Sequence, residues 1–161
     1  AMRVSKIGDE SLNCHFVNGF AANDPQSTLN IWQKICDMDY NSKDPIVIMN
    51  CRQDRVDRTE IFVRNVFPNI ETHTLIGIGE VTEPITTAFK NGELPNVKNY
   101  IDLENASPDE ILEVISPLMK NRVIYGVGNI HGTGEPFIER LLSMSQDKTK
   151  TDYSETKEAI I

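Results

Sequence analysis

The sequence predicts an α/β fold, a mostly parallel open sheet with helices on both faces. Short β-rich runs alternate with amphipathic segments five times along the 161 residues. The run Ile46-Val47-Ile48-Met49 is continuously apolar, as expected of a strand covered on both faces. Each amphipathic segment has apolar residues spaced three or four apart, which indicates a helix. The predicted strands are residues 12–17, 46–50, 73–78, 100–103 and 122–125.

The first two predicted helices have different start signals. Asp24 is suited to cap a helix whose first residue is Pro25. The residues of this helix predicted to face the core are Trp32, Ile35 and Cys36. The second helix is expected to start at the capping-box pattern Asp57-x-x-Glu60. Its predicted core residues are Phe62, Val63, Val66 and Phe67.

The other three predicted helices follow the same logic. The third runs from Thr82 and stops at Asn91-Gly92, with Ile85, Ala88 and Phe89 on its apolar stripe. The fourth opens with the capping box Ser107-Pro108-Asp109-Glu110, and Pro117 should kink or end it. Its predicted core residues are Ile111, Leu112 and Ile115. The fifth helix is expected to bury Phe137, Ile138, Leu141 and Leu142.

Length and composition predict one domain. Residues 1–145 suffice for one full-sized core. Residues 146–161 are polar until Ala159-Ile160-Ile161 and are expected to form a mobile tail or a short, loosely docked helix. The net charge of −8, with no basic stripe, argues against nucleic-acid binding. Cys14, Cys36 and Cys51 form no CxxC pair, so we expect buried thiols in a reducing cytoplasm.

Four polar loops follow predicted strands one, two, three and five. In an open parallel sheet, ligands bind outside the carboxyl ends of the strands, so these loops should meet at one edge. We therefore expect a face that handles phosphate or carboxylate groups. Its candidate residues are Asn18, Asn23 and Asp24, then Arg52, Asp54, Arg55 and Arg58, then Glu80, Thr82 and Glu83, and finally Gly128, Asn129 and His131.

Each candidate group also has a purely structural interpretation. Arginine forks suit carboxylate and phosphate oxygens, and neighbouring aspartates could hold them in place. The same charges could instead form a surface ion-pair network. Glu80 and Glu83 could bind an ammonium group or simply favour a helix N-terminus. The Asn23-Asp24-Pro25 segment could be a plain helix start, and His131 could be a hydrogen-bonded loop residue rather than a catalyst.

Several familiar sites are absent from the sequence. No segment matches the P-loop pattern G-x-x-x-x-G-K-[ST]. The glycine-rich segment 125–136, read as a loop, has the spacing G-x-G-x-x-x-G, which disfavours dinucleotide binding of the NAD type. The three histidines lack metal-ligand spacing with the cysteines, so no metal site is predicted.

The chain closely resembles the C-terminal domain of the poly-γ-glutamate synthase ATP-dependent ligase subunit (CapB/PgsB type), a capsule-forming branch of the Mur ligase family. The resemblance covers residues 1 to about 140. It is carried by the blocks Phe16-Val17-Asn18-Gly19-Phe20-Ala21-Ala22-Asn23-Asp24, Ile48-Met49-Asn50-Cys51-Arg52, Asp54-Arg55-Val56-Asp57-Arg58-Thr59 and Arg122-Val123-Ile124-Tyr125-Gly126-Val127-Gly128-Asn129-Ile130-His131-Gly132.

The resemblance implies a Rossmann-like domain that closes over a nucleotide and helps bind an incoming amino acid. The implied reaction is phosphorylation of a chain-end carboxylate by ATP with Mg²⁺, followed by attack of the glutamate amine and release of ADP and phosphate. The N-terminal and P-loop ATPase domains of such an enzyme would bind most of the ATP and Mg²⁺. The implied surroundings are membrane subunits of a synthase complex at the cytoplasmic face of a bacterial membrane, with glutamate and the poly-γ-glutamate chain end as substrates.

The resemblance also suggests residue roles. Asn23 matches the family's nucleotide-contacting motif after strand one, and Asp54 and Arg55 match its Asp-Arg motif. Thr82, Glu83 and Pro84 fall where some Mur ligases read the incoming amino acid. Gly128 and His131 fall in the family's Gly-Lys-Gly-His loop, whose lysine is replaced here by Val127, and His131 lies one residue later than that pattern has it.

Two functions follow as alternatives. The first is the closing domain of an amide ligase, catalytically incomplete alone, in which Arg55 and His131 act in catalysis. The second is a non-enzymatic α/β interaction module that docks to partner subunits.

Overall fold

The computed structural model describes residues 3–20, 22 and 24–144. The strands in this part of the chain are β1 (Arg3–Ile7), β2 (Cys14–Asn18), β3 (Ile46–Cys51), β4 (Thr72–Gly79), β5 (Val97–Glu104) and β6 (Val123–Gly128). They form one sheet in the order β1-β2-β6-β3-β4-β5. The helices are α1 (Pro25–Cys36), α2 (Val56–Asn65), α3 (Glu83–Lys90), α4 (Pro108–Ile115) and α5 (Gly134–Leu142).

The five predicted strands pair in parallel, which confirms the predicted fold class. The structure adds β1, which the sequence analysis missed. It pairs antiparallel with β2, with Arg3 opposite Asn18 and Ile7 opposite Cys14. An edge strand has only one neighbour, and β1 buries only Ser5 and Ile7, so its apolar pattern is weak.

Helices cover both faces of the sheet, as predicted. Helices α1, α2 and α3 pack on one face, where their core residues are Trp32, Ile35, Phe62, Ile85 and Ala88. Helices α4 and α5 pack on the other, through Ile111, Leu112, Ile115, Phe137 and Leu141. Every residue of β3 is buried. Cys36 is exposed, so its predicted burial is wrong, because it lies on the solvent side of the last turn of α1.

Two of the three predicted capping signals are confirmed. Asp24 accepts a hydrogen bond from the Ser27 backbone N–H at 2.7 Å and caps α1, and both halves of the Ser107–Glu110 capping box are present. The capping box at Asp57 is wrong. A 3₁₀ turn over Gln53–Arg55 winds the chain earlier, so α2 begins at Val56 and Asp57 lies within its first turn.

Some predictions fall outside the described residues. These are the position of Asn23 and the predicted tail, residues 146–161. The division into a domain at 1–145 and a tail therefore stays a prediction. Across the described ranges, no helix combines the length and apolarity needed to cross a membrane.

Candidate functional site

The carboxyl ends of the parallel strands place four loops side by side. Asn18 at the end of β2 pairs with Gly126 of β6, and Asn50 of β3 pairs with Gly128 of β6 and with Ile78 of β4. Helix α5 follows β6 on one face, whereas α1 and α2 follow β2 and β3 on the other. The chain therefore diverges on either side of β6, which is where open α/β sheets form a ligand crevice.

The segment that follows β3 and opens α2 carries three arginines with different surroundings. The guanidinium of Arg52 pairs with the Asp54 carboxylate at 2.7 Å. Arg58, on α2, is half-buried and donates from Nη1 to Oδ1 of Asn129 at 3.0 Å. Arg55 is exposed, and its side chain has no hydrogen-bonding partner among the described residues. Among the described residues, an aspartate pairs with Arg52 but not with Arg55 or Arg58.

The loop after β6 is shorter than the sequence suggested. Gly126 and Gly128 belong to β6, and α5 already begins at Gly134, so the predicted glycine loop 125–136 is reduced to residues 129–133. Gly128 has φ +94°, and a Cβ there would lie 2.7 Å from the Asn50 carbonyl oxygen. Because Gly128 has no Cβ, the backbones of β3 and β6 can approach each other closely here, and the pairing of the two strands extends to Gly128.

The side chains of the loop after β6 differ sharply in exposure. Asn129 is buried and joins Arg58 to the end of β3. The side chain of His131 is 71% exposed, and its Nδ1 lies 3.1 Å from a carboxylate oxygen of Glu135. His131 is therefore open to a ligand at the N-terminal turn of α5, with a carboxylate that can orient its ring.

Asn50 is the residue that sequence reasoning missed. It is fully buried, and its Nδ2 donates to the carbonyl oxygens of Asn129 at 2.5 Å and His131 at 2.7 Å. A signal was present in the sequence, because an amide at the end of a strand buried on both faces must find hydrogen-bonding partners. Such partners could only come from the neighbouring loops.

The loop after β4 is held under strain. Val81 has φ +62°, a left-handed conformation that is unfavourable for a β-branched residue. The next residue is fixed by β5: the Thr82 hydroxyl donates to Asp102 at 2.7 Å, and its N–H donates to Glu104 at 3.0 Å. On the other side, the Glu80 N–H donates to the Cys51 carbonyl at 2.9 Å. Contacts on both sides thus impose the conformation.

The three predicted site residues of this loop differ in burial and in their hydrogen-bond partners. Thr82 is buried and structural in its contacts. Glu80 is exposed and accepts a hydrogen bond from the Gln53 N–H at 3.4 Å, which links the loops after β4 and β3. Glu83 is exposed at the start of α3 and accepts from the Thr87 hydroxyl at 2.8 Å. The two glutamates therefore present carboxylates at this edge.

The loop after β2 makes mainly local contacts. Asn18 Oδ1 accepts from the Phe20 N–H at 3.1 Å, and the Gly19 N–H donates to the Gly126 carbonyl at 2.8 Å. Hydrogen bonds from Ser27 hold the pKa of Asp24 below its usual value, consistent with its role as a helix cap. Any contact of Asn18, Asn23 or Asp24 with a nucleotide stays a prediction.

Charged side chains are unevenly distributed along the edge, and the segment after β3 carries three arginines (Arg52, Arg55 and Arg58) against two aspartates (Asp54 and Asp57). The guanidinium groups of Arg55 and Arg58 follow β3, beside β6. The carboxylates that follow or end β4 and β5 are those of Glu80, Glu83, Asp102 and Glu104. Neighbouring strands lie about 4.8 Å apart, so the two charge groups are separated by roughly one or two strand spacings. Within the described part of the chain, no cluster of three or more His, Cys, Asp or Glu side chains is arranged to hold a metal ion.

The fold and this edge define an α/β domain with charged side chains gathered at the carboxyl ends of its parallel strands. The chain belongs to the poly-gamma-glutamate synthase CapB C-terminal domain family, whose model matches residues 4–144. This confirms the predicted family.

Two curated relatives are similar to this chain. It is 53% identical over 142 residues to the capsule biosynthesis protein CapB of Bacillus anthracis, covering 88% of this chain and 30% of that protein. It is 55% identical over 141 residues to the PGA synthase CapB of Bacillus subtilis (strain 168), covering 88% and 36%. The chain thus spans about a third of the length of these relatives.

A solved structure is also similar, a domain assigned to a UDP-N-acetylmuramate ligase from Haemophilus ducreyi 35000HP. The TM-score is 0.47 at 11% identity, covering 86% of this chain and 96% of that domain. A likeness this weak does not bear on the ligand.

Proposed function

We propose that this chain is the C-terminal domain of an ATP-dependent, ADP-forming amide ligase that joins glutamate through γ-amide bonds into poly-γ-glutamate. Family membership supports the proposal, as does the match to one third of two synthase relatives. Family membership also favours this function over that of a non-enzymatic interaction module.

The observation that carries the proposal is that exposed or half-buried arginines after β3 lie one strand away from the glutamates that follow β4. Amide formation from an acyl phosphate needs cations around the phosphate and an acidic pocket for the incoming ammonium group. Arg55 is exposed and unpaired among the described residues, and Arg58 is fixed beside it. Glu80 and Glu83 lie one strand away. An edge with this arrangement can hold both reactants next to each other.

The chemistry assigns a task to each group. ATP is a substrate that phosphorylates the chain-end carboxylate. The ammonium group of glutamate then loses a proton to solvent, and its nitrogen forms the C–N bond and releases a second proton as the C–O bond to phosphate breaks. Arg55 and Arg58 stabilise the negative charge of the phosphoryl oxygens. Glu80 and Glu83 attract the ammonium group of glutamate, and His131 binds an anionic group at the N-terminus of α5.

The described residues fit phosphate oxygens but not Mg²⁺. The arginines offer planar donors, whereas no suitable set of carboxylates converges on one point in the described ranges. The sequence also lacks the P-loop pattern. We therefore assign most of the ATP and Mg²⁺ contacts to a P-loop ATPase domain of the same enzyme, against which this edge closes.

The wider setting belongs to the same proposal. The enzyme works with membrane subunits of a synthase complex, at the cytoplasmic face of a bacterial membrane, where thiols stay reduced. The reaction intermediate is an acyl phosphate that water would destroy, and closure of this domain over the site would exclude that water.

The experiment is an NMR titration of the ¹⁵N-labelled chain with MgATP and, separately, with D- and L-glutamate. The proposal predicts amide shifts confined to residues 18–24, 52–58, 80–84 and 128–134. No shift at any concentration, or shifts confined to an outer helix face, would contradict it. The Lys98–Asp44 pair lies outside these loops, so Lys98→Ala serves as a control for non-specific binding of anions.

A further inference from the structure

The buried side chain of Asn50 ends β3 where the loops after β3, β4 and β6 meet. Its Nδ2 donates to the carbonyl oxygens of Asn129 and His131, at 2.5 and 2.7 Å. In return, its own carbonyl oxygen accepts from the N–H and the Nδ2 of Asn129, at 3.1 and 3.0 Å. Side-chain hydrogen bonds therefore fasten the loop after β6 to the end of β3.

The packing around Asn50 leaves its amide one orientation. A Cβ on Gly134 would lie 2.8 Å from Asn50 Nδ2, and a Cβ on Gly79 would lie 2.6 Å from Asn50 Oδ1. Reversing the amide would point its oxygen at two carbonyl oxygens. In the present orientation, Oδ1 is buried without a hydrogen-bond donor among the described atoms. A buried oxygen without a donor costs stability. The contribution of this side chain therefore lies in the two hydrogen bonds that its Nδ2 donates.

A second link extends from this pair of asparagines to a charged group. Oδ1 of Asn129 accepts from Nη1 of Arg58 at 3.0 Å. Because Nδ2 of the same amide is bound to Asn50, the amide plane of Asn129 is fixed and its oxygen points at Arg58. A long arginine side chain has many rotamers, and one fixed acceptor selects among them.

We infer that Asn50 is a positioning residue that holds, through Asn129, the guanidinium of Arg58 and the backbone at His131. This inference rests on the proposed function, in which Arg58 stabilises phosphoryl charge. Asn50 itself is fully enclosed and touches no reactant. It acts only through the two loop residues that it binds.

The test compares two isosteric substitutions. Asn50→Asp replaces the Nδ2 donor by an oxygen that faces two carbonyls. Asn96→Asp is the matched control, because Asn96 Nδ2 also donates to two carbonyls, those of Phe67 at 2.5 Å and Ile70 at 2.7 Å. Asn96 precedes β5, at the opposite edge of the sheet. Both variants lose two hydrogen bonds, but only Asn50 is linked to Arg58.

Two readouts separate positioning from stability. In the chain without nucleotide, Asn50→Asp should shift or broaden the Arg58 side-chain NMR signals and the amides of residues 129–132, whereas Asn96→Asp should not. In the full-length ligase with MgATP and glutamate, kcat per folded molecule should fall about 10- to 100-fold for Asn50→Asp, since a small misplacement costs that much. For Asn96→Asp, kcat should fall less than about twofold, within the scatter of an uninvolved site. KM for glutamate should be nearly unchanged in both.

Equal melting losses in both variants, with Arg58 signals and kcat like the wild type, overturn the inference. If Asn50→Asp does not fold, the same measurements are made on Asn129→Ala. This variant removes the acceptor of Arg58 and keeps both backbone carbonyls that Asn50 binds. Unchanged Arg58 signals and kcat in that variant also overturn it. Failure of the proposed function would be seen in a different experiment, as an absence of amide shifts when the wild-type chain is titrated with MgATP or glutamate. The effect of Asn50 on Arg58 is measured without either ligand, so the two failures are distinguishable.

Discussion

Replacing Gly128 by alanine tests how closely β3 and β6 must approach at the site. Two penalties are expected. A φ of +94° disfavours any residue with a Cβ, at about 1–2 kcal/mol. The new Cβ would also lie 2.7 Å from the Asn50 carbonyl oxygen. That oxygen accepts two hydrogen bonds from Asn129, so its retreat weakens both, at about 1 kcal/mol each.

The expected loss in the free energy of unfolding is therefore about 3–4 kcal/mol, at or above the upper end of the usual effect of a single mutation. Gly132→Ala, in the loop that directly follows β6, is the matched control. Gly132 has φ +81° but nothing within 4 Å of an added Cβ, so only the first penalty applies. With about 2–4 °C per kcal/mol for a chain of this size, the melting temperature should fall by roughly 10 °C for Gly128→Ala and by less than half of that for Gly132→Ala.

Urea and thermal unfolding, followed by circular dichroism, measure both variants. Equal destabilisation of the two would refute the reasoning, because it would mean that the contact with Asn50 costs nothing and that only backbone conformation matters. A Gly128→Ala loss below about 1 kcal/mol would refute the geometry of the strand end as well.

Three further outcomes are expected. Arg55→Lys in the full-length ligase should lower kcat by about 10²–10³-fold, because lysine keeps the charge but loses the planar fork. The free energy of unfolding should change by no more than about 0.5 kcal/mol. Normal turnover with a lowered melting temperature would instead show that Arg55 has a structural role. Burial raises the pKa of Cys14 and of Cys51 to about 12, and Cys36 is exposed. Ellman's reagent should therefore label one thiol quickly in the native chain and three in denaturant, and rapid labelling of two would contradict this. Hydrogen bonds from Ser107 hold the pKa of Glu110 below its usual 4.5, so its stabilisation is present above the unfolded-state pKa and is lost as pH falls through the folded one. The melting-temperature gap between wild type and Glu110→Gln should thus shrink from about pH 7 to about pH 3, and a constant gap would count against it.

The sequence was most informative where one local pattern decides the structure. The continuous apolar run 46–49 matched a strand covered on both faces, and Ser107 and Glu110 could satisfy each other without help from the rest of the chain. The order of polar loops after strands likewise predicted which segments share an edge. These inferences needed only periodicity, capping chemistry and the geometry of parallel sheets.

The predictions failed where the local conformation depends on residues outside the pattern that was used. Asp57 and Glu60 match a capping box, but the 3₁₀ turn before them starts α2 earlier. Valine is a poor residue for a left-handed conformation, so nothing local marks Val81, whose φ is imposed through Thr82 by Asp102 and Glu104. The partner of Arg58 could not be predicted, because it is Asn129, 71 residues further along the chain.

The antiparallel direction of β1 places the start of this strand at the same edge as the candidate site. Because Arg3 lies opposite Asn18, the first described residue stands at the same edge as the four loops. A body joined to that end would pivot about a point roughly 14 Å, or three strand spacings, from the end of β3. With so short a lever arm, a rotation there turns Arg55, Arg58 and His131 toward or away from a facing surface while carrying them only a small distance. A hinge at this point would change the angle of approach more than the separation.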